Sequence, residues 1–419
     1  MKYKVTVSGI INILLLVFLS CAGSPGTGAD LSGSSAQEDS GAFPEQYELP
    51  RELYNSDPSD LVFLPGGFPS LEIPSGVGVI SQASAQASLP DDRERSALTD
   101  HYRWAYADYL LRDASLAGVL GGDQVHGWPD NDPYGWVQNW RSGSPADNSW
   151  GLPALILAIR GITEGRVFTV QGKVLDHYGK SAGRNNANGA QGYGSPRGYE
   201  FYYDENLAQR FDLGLISVSK EGRGSFIPED PPSMEADPPS DIGFFTGNPA
   251  GISGSESAAI IRMAFLTAWK MALDRGYNIL VSDGPGQYIS FSDSFWNFPG
   301  GETLKGIYVQ TFNRRSALLV LTDSSLLPPY PRFLSSPFID VLLRSGEYSI
   351  LGGNLEPLNI KSSGGDDFTR ALIRGISLYG IPLTDPIPVK GSEDSASPWQ
   401  VAQRFSRGWL VGPPAVTGP

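Results

Sequence analysis

Nucleophilic, acid–base or metal chemistry in this 419-residue chain would rest on few residues: one cysteine, Cys21, and three histidines, His101, His126 and His177. Asp123-x-x-His126, followed by Asp130 and Asp132, brings an imidazole near carboxylates. No second histidine stands at ligand spacing, and the flanking Trp128-Pro129 and Asp132-Pro133 dipeptides are turn chemistry. The expectation is therefore no metal and no cofactor. His177 reads as a polar position on a short helix. A glycosidase needs two carboxylates flanking the scissile bond. Glu200, Asp204 and Glu205 offer such groups, but with 45 acidic residues in the chain nothing singles out a pair. No Gly-x-Ser-x-Gly elbow appears. Ser282-Asp283-Gly284-Pro285-Gly286 precedes a strand pattern, which makes it a loop and not a phosphate cradle. No catalytic residue is assigned.

Cys21 has a different chemistry in prospect. Lys2 and Lys4 precede a nearly unbroken apolar run from Ile10 to Leu19, and Ser20, Ala22 and Gly23 flank the thiol. The run is short for a spanning helix and has the layout of an export signal. Leu19-Ser20 followed by Cys21 resembles the lipobox of bacterial lipoproteins, with Phe18 in place of the usual branched aliphatic. That resemblance implies cleavage after residue 20, acylation of Cys21 and attachment to a bacterial membrane, the outer membrane favoured by Ala22, with the periplasmic or surface face left open. Losing Lys2 and Lys4 moves the formal charge from −14 to −16. Such an acidic chain has no electrostatic reason to bind nucleic acid or anionic lipid, so its membrane contact is expected through the lipid.

Glycine (50) and proline (33) approach a fifth of the residues, while charged residues make up only 18%. This is the composition of a turn-rich, aromatic-lined exported protein. The expected organisation is a signal peptide over 1–20, a flexible tether over 21–45, a first half of the body over 46–220, a proline-rich acidic insertion or linker over 221–255 and a second half over 256–419. Helical spacing over Arg95–Leu111 and a possible capping box at Ser253 and Glu256 opening a helix that stops near Gly276 mark the two clearest helices. Strand patterns cover Asn278–Ser282, Gln287–Ser292, Gly306–Phe312 and Ala317–Thr322, the last two joined in a hairpin through Asn313-Arg314-Arg315.

One phrase recurs four times: a Gly-x-Pro-like turn, a variable gap, then Gln-x-aromatic and a second turn. Its turns are Gly127-Trp128-Pro129, Gly194-Ser195-Pro196, Asn297-Phe298-Pro299 and Gly380-Ile381-Pro382. The matching pairs are Gln138 with Trp140, Gln209 with Phe211, Gln310 with Phe312 and Gln403 with Phe405. On a strand the two residues of each pair share a face: the aromatic fills a core and the amide ties the strand to a neighbouring backbone. Arg315 stands where the other copies have glycine, so the third turn must differ in shape. The second copy, with Val170-Gln171-Gly172-Lys173-Val174, Tyr178, Gly183, Gly194-Ser195-Pro196 and Gln209-Arg210-Phe211, resembles the LGFP repeat of secreted, envelope-associated bacterial proteins. Tyr193 and Ser195 depart from that family's leucine and aromatic.

The resemblance implies an α+β repeat body of helix-plus-β-hairpin modules, propeller-like about a common axis, and attachment to cell-wall polymer without a catalytic machine. Trp128, Tyr202 and Trp409 are the candidates to stack on sugar rings if exposed; buried, the favoured reading for the chain's aromatics, they fill the repeat cores. The expected function is that of a lipid-anchored, non-enzymatic envelope protein binding peptidoglycan, another glycan or an envelope partner. The alternative is a lipid-anchored hydrolase of envelope polysaccharide.

Overall fold

The computed structural model describes residues 61–68, 70–80, 92–112, 120–121, 126–128, 135–141, 154–158, 167–181, 193–203, 206–246, 255–277, 279–291, 304–344, 367–390 and 399–412. Cys21 and the residues expected to form the signal and the tether, 1–45, lie outside them. Among the described residues the chain is mixed α and β, with six helices and four sheets, and none of the sheets closes into a barrel.

The first sheet follows helix α1 (Asp92–Arg112) and orders β2 (Leu120–Gly121), β4 (Gly135–Arg141), β5 (Ala154–Ala158) and β6 (Val167–Val170), with β3 (His126–Trp128) also paired to β4. After α2 (Gly172–Ser181) comes an antiparallel meander of β7 (Phe201–Tyr203), β8 (Asn206–Phe211), β9 (Gly214–Val218) and β10 (Gly224–Pro228). A helical turn α3 (Pro232–Glu235) and the long α4 (Ser255–Asp274) lead to the third sheet. It holds β11 (Phe245–Thr246), β12 (Gly286–Ser290), β13 (Gly306–Phe312), β14 (Ala317–Asp323) and β15 (Arg332–Leu334). Finally α5 (Ser336–Leu343) and α6 (Asp367–Tyr379) precede β16 (Ile387–Lys390), β17 (Trp399–Phe405) and β18 (Gly408–Gly412). The fourth strand of that last sheet is β1 (Val62–Pro65), from the other end of the described chain.

The proline-rich stretch expected as an insertion or linker over 221–255 thus carries β10, α3 and β11, and the expected boundary near 220 falls inside the second sheet. Among its described prolines, Pro228 ends β10, and Pro231 and Pro232 open α3, where a missing N–H costs nothing. Of the expected strand Asn278–Ser282, Asn278 lies outside the described residues and 279–282 form no strand; Ser282 makes an isolated bridge to Phe312. That bridge makes Ser282-Asp283-Gly284 the turn of the third repeat in place of Asn297-Phe298-Pro299, which lies outside the described residues. Helix α6 escaped the sequence reading, although Leu372, Ile373, Ile376 and Tyr379 give it a buried face.

A second internal repeat emerges from the hydrogen bonds. Phe63-Leu64-Pro65, leading to Pro74-Ser75-Gly76-Val77-Gly78, matches Phe226-Ile227-Pro228, leading to Pro239-Ser240-Asp241-Ile242-Gly243. Val77 N donates to Pro74 O and Ile242 N to Pro239 O, and Val77 and Ile242 are both fully buried. Gly78 and Gly243 have φ of 77° and 73°, open to glycine alone at little cost. Each presses on the eighth residue of the helix that follows. A Cβ would stand 2.7 Å from Thr99 O on α1 and 2.6 Å from Arg262 Cα on α4. The two helices then align as Tyr102-x-x-Ala105-Tyr106 with Phe265-x-x-Ala268-Trp269, all buried. The chain reads as two similar halves, each of a long-helix module followed by a shorter-helix module.

The hairpin turns show the expected difference. β8–β9 and β17–β18 turn through two residues, Asp212-Leu213 and Ser406-Arg407. β13–β14 turns through four residues, Asn313 to Ser316, and Asn313, Arg314 and Arg315 have φ of 50°, 58° and 69°. Each such residue costs on the order of 1 kcal/mol. The Asp283 carboxylate offsets this by accepting Arg314 N at 2.7 Å and Arg315 N at 2.8 Å.

Burial lowers the His101 pKa from 6.5 to about 4, because the charged imidazolium on α1 is desolvated. The unfolded chain therefore binds a proton that the folded chain refuses between those values. Stability is expected to fall by up to about 3 kcal/mol as pH drops from 6.5 towards 4. Denaturant titrations across this range should show a shallower fall for His101→Gln; an unchanged slope would remove His101 as the cause.

Candidate functional site

The four repeat glutamines are all fully buried, and each joins separate parts of the chain through its amide. Gln138 Nε2 donates to Gly76 O at 2.8 Å while its Oε1 accepts Gly78 N at 3.0 Å. Gln310 Nε2 donates to Gly284 O at 2.7 Å and to Ser282 Oγ at 2.9 Å, and its Oε1 accepts Gly243 N at 3.1 Å. Gln209 Nε2 reaches Thr169 O on β6 at 2.9 Å and Gly198 O at 2.8 Å. Gln403 Nε2 reaches Phe333 O on β15 at 2.9 Å and Thr384 O at 2.8 Å. The last two therefore tie a sheet to the edge of the one before it. A buried amide left without partners is costly, which makes glutamine the right size and chemistry for a cross-sheet tie. Phe211, Phe312 and Phe405, two residues on, are fully buried beside the turn residues Pro196, Ser282 and Pro382. The Trp140 side chain lies outside the described residues.

At the junction of the sheets lies a buried cluster of charges drawn from all four modules. Arg112, ending α1, pairs with Glu200 at 3.6 Å and lies over the Tyr199 ring at 4.2 Å. Arg275, just after α4 in the other half, pairs with Asp385 at 3.4 Å. Arg332 on β15 pairs with Asp108 on α1 at 2.5 Å, and Tyr199 Oη also donates to Asp108. The counterpart of Arg332 in the first half is Phe168, one residue before the carbonyl that the cross-sheet glutamine binds. The α4 counterpart of Asp108 is Met271. Phe168 and Met271 pack together with Tyr199, so one contact between the halves is an ion pair and its counterpart is apolar.

These contacts place the expected chemical residues. Glu200 belongs to the charge cluster and is fully buried. Asp204, Glu205, Asp123, Asp130 and Asp132 lie outside the described residues, as does the side chain of His126. His177 stacks on Tyr193, with Nε2 and Oη 3.4 Å apart. Among the described residues no group of three His, Cys, Asp or Glu is placed to hold a metal. Of the proposed sugar-stacking aromatics, Tyr202 on β7 and Trp409 on β18 are half-buried, and the Trp128 side chain is not among those described. Trp409 opposes Arg404 across β17 and β18, with the guanidinium carbon 5.1 Å from the indole centroid.

Sequence reasoning missed the charge cluster, because its ion pairs join residues 88 to 224 positions apart, from Arg112 and Glu200 to Arg332 and Asp108. The Tyr-Gly-x-Pro phrase at 193–196 and 379–382 was the readable signal for one of its elements, since Glu200 and Asp385 both follow that turn closely. Compared with known proteins, the chain matches no family model and no curated protein.

Gln403→Leu leaves the Phe333 and Thr384 carbonyls without their shared donor. It should cost about 2–3 kcal/mol in denaturant unfolding. A loss within the error of the measurement would show that the amide is not a structural tie.

Proposed function

We propose that this chain is an exported lipoprotein, anchored through Cys21, whose repeat body binds cell-wall glycan without cleaving it. The body would be a four-module, propeller-like assembly of the LGFP kind. Support for that shape comes from β1 joining the last sheet, from β7 packing near β16, and from the charge cluster to which every module contributes. The observation that carries the binding reading is Trp409: a partly buried indole on an antiparallel hairpin, with the Arg404 guanidinium against its ring. Such a face suits the apolar side of a sugar ring, and a strand fixes it better than a loop. The carboxylates Asp108, Glu200 and Asp385 are engaged by arginines at the junction and carry structural work there.

Sedimentation with purified cell wall tests both halves of the proposal. Saturable binding without release of soluble fragments is expected, weakened about tenfold by Trp409→Ala, the loss of one stacking contact of about 1.4 kcal/mol. Fragment release abolished by one Asp or Glu substitution would replace the proposal with the hydrolase reading.

A further inference from the structure

The two halves differ at one arginine in a way that points to a ligand. Arg210 and Arg404 occupy the same place in the shared Ala-Gln-Arg-Phe phrase, at 208–211 and 402–405. The surrounding backbone is superposable bond for bond. Arg197 N donates to Arg210 O and Leu383 N to Arg404 O, at 2.9 and 2.8 Å. Pro228 pairs with Gly214 and Pro65 with Gly408, while Glu229 N donates to Leu213 O and Gly66 N to Arg407 O. Gly66 therefore stands where the other half has Glu229, and Ser406 where it has Asp212.

Among the described residues, that exchange removes every counter-ion. Arg210 is buried with Glu229 Oε1 2.6 Å from its Nη1, and its Nε donates to Asp274 O at 2.6 Å. The neighbouring Arg197 is held by Asp212 and Asp274. Arg404 is just as buried, at 8% exposure. Its Nη2 donates to Gly67 O, its Nε has no hydrogen-bond partner, and among the described residues no carboxylate pairs with it. A guanidinium this far from water gains strongly from an anion. Desolvation already holds its pKa below the ordinary arginine value.

The space that Glu229 fills in the second sheet is open beside Arg404. A Cβ at Gly67 would meet nothing within 4 Å, and one at Gly66 only Gly408 Cα at 3.8 Å. Trp409 forms the adjoining wall, directly opposite Arg404 in the β17–β18 register.

We infer, resting on the wall-binding reading for the choice of ligand, that Arg404, the Gly66-Gly67 backbone and Trp409 form a carboxylate-binding site. The ligand carboxylate takes the position that Glu229 holds against Arg210, and the ring or chain bearing it lies on Trp409. Two wall components carry that chemistry, an acidic amino sugar and the free end of a stem peptide. In a chain of net charge −14, a locally uncompensated arginine is what lets an anion approach.

The test supplies the missing carboxylate from within. Gly66→Glu keeps Arg404 and restores the arrangement of the second sheet, so it should raise the melting temperature by a few degrees. It should also weaken carboxylate binding by at least about tenfold. Arg404→Gln should weaken binding similarly while lowering stability. Titration calorimetry on the full chain would use N-acetylglucosaminyl-N-acetylmuramic acid, the same disaccharide with its carboxyl reduced to the alcohol, and a D-alanyl-D-alanine-terminated peptide. Binding of the acidic disaccharide, lost on reduction and on Gly66→Glu, supports the site with a sugar carboxylate. Binding of the peptide with the same sensitivity supports it with a peptide carboxylate. If neither binds the unaltered protein, or Gly66→Glu binds as tightly, the site is overturned, and wall sedimentation stands or falls separately. Carboxylate binding sensitive to Gly66→Glu in a protein that does not sediment with wall would keep the site and remove the wall.

Discussion

Three arginines and three carboxylates are taken out of water where the sheets meet, and no pair is made within one module. Arg112 answers Glu200, Arg275 answers Asp385 and Arg332 answers Asp108. A buried charge without its partner costs several kcal/mol, so no module can shift without exposing a neighbour to that penalty. The apolar cores are divided among the modules, and the charge pairs set how those cores are placed against one another. The repeat glutamines add a second set of cross-connections, from Gln209 to β6 and from Gln403 to β15.

Duplication explains how so varied a sequence keeps one plan. The halves share Phe-[Leu/Ile]-Pro, Pro-Ser-x-[Val/Ile]-Gly and Tyr-Gly-x-Pro phrases at equivalent points of the backbone. Where they diverge, the divergence is chemical and not architectural. Arg332 with Asp108 stands for Phe168 with Met271, and Gly66 beside Arg404 stands for Glu229 beside Arg210. The first exchange is buried and compensated on both sides. The second leaves one side open, which is where a binding function can enter without disturbing the fold.

Much of this was legible in the residues. The helices α1 and α4, the hairpin β13–β14 and the aberrant third turn follow from periodicity and from the absence of glycine at Arg315. The Gln-x-aromatic pairs were readable because a strand period of two puts both side chains on one face. What periodicity does not carry is partner choice. Ser282 pairs with Phe312 across 30 residues, β1 pairs with β18 across most of the chain, and the Pro-Ser turns meet their glutamines about 60 residues away. The Gly-x-Pro signature located the turns at 194–196 and 380–382. In the first repeat Gly127 and Trp128 belong to β3 instead of a turn, and in the third, whose expected turn lies outside the described residues, Ser282 takes proline's place in the bridge. The shared Ala-Gln-Arg-Phe phrase equates Arg404 with Arg210, but only the strand pairing shows that Gly66 stands where Glu229 does.

The exchange at the junction offers the most direct measurement. If the charge pair between Arg332 and Asp108 is what holds the third sheet against α1, Arg332→Phe alone strands a buried carboxylate and should cost about 3–5 kcal/mol. Adding Asp108→Met installs the Phe-and-Met pair that the equivalent contact between the halves already uses. Equilibrium unfolding of the double variant should then recover most of the loss, with both substitutions strongly coupled in a double-mutant cycle. Additive losses in that cycle would contradict the equivalence of the two halves and the junction built on it.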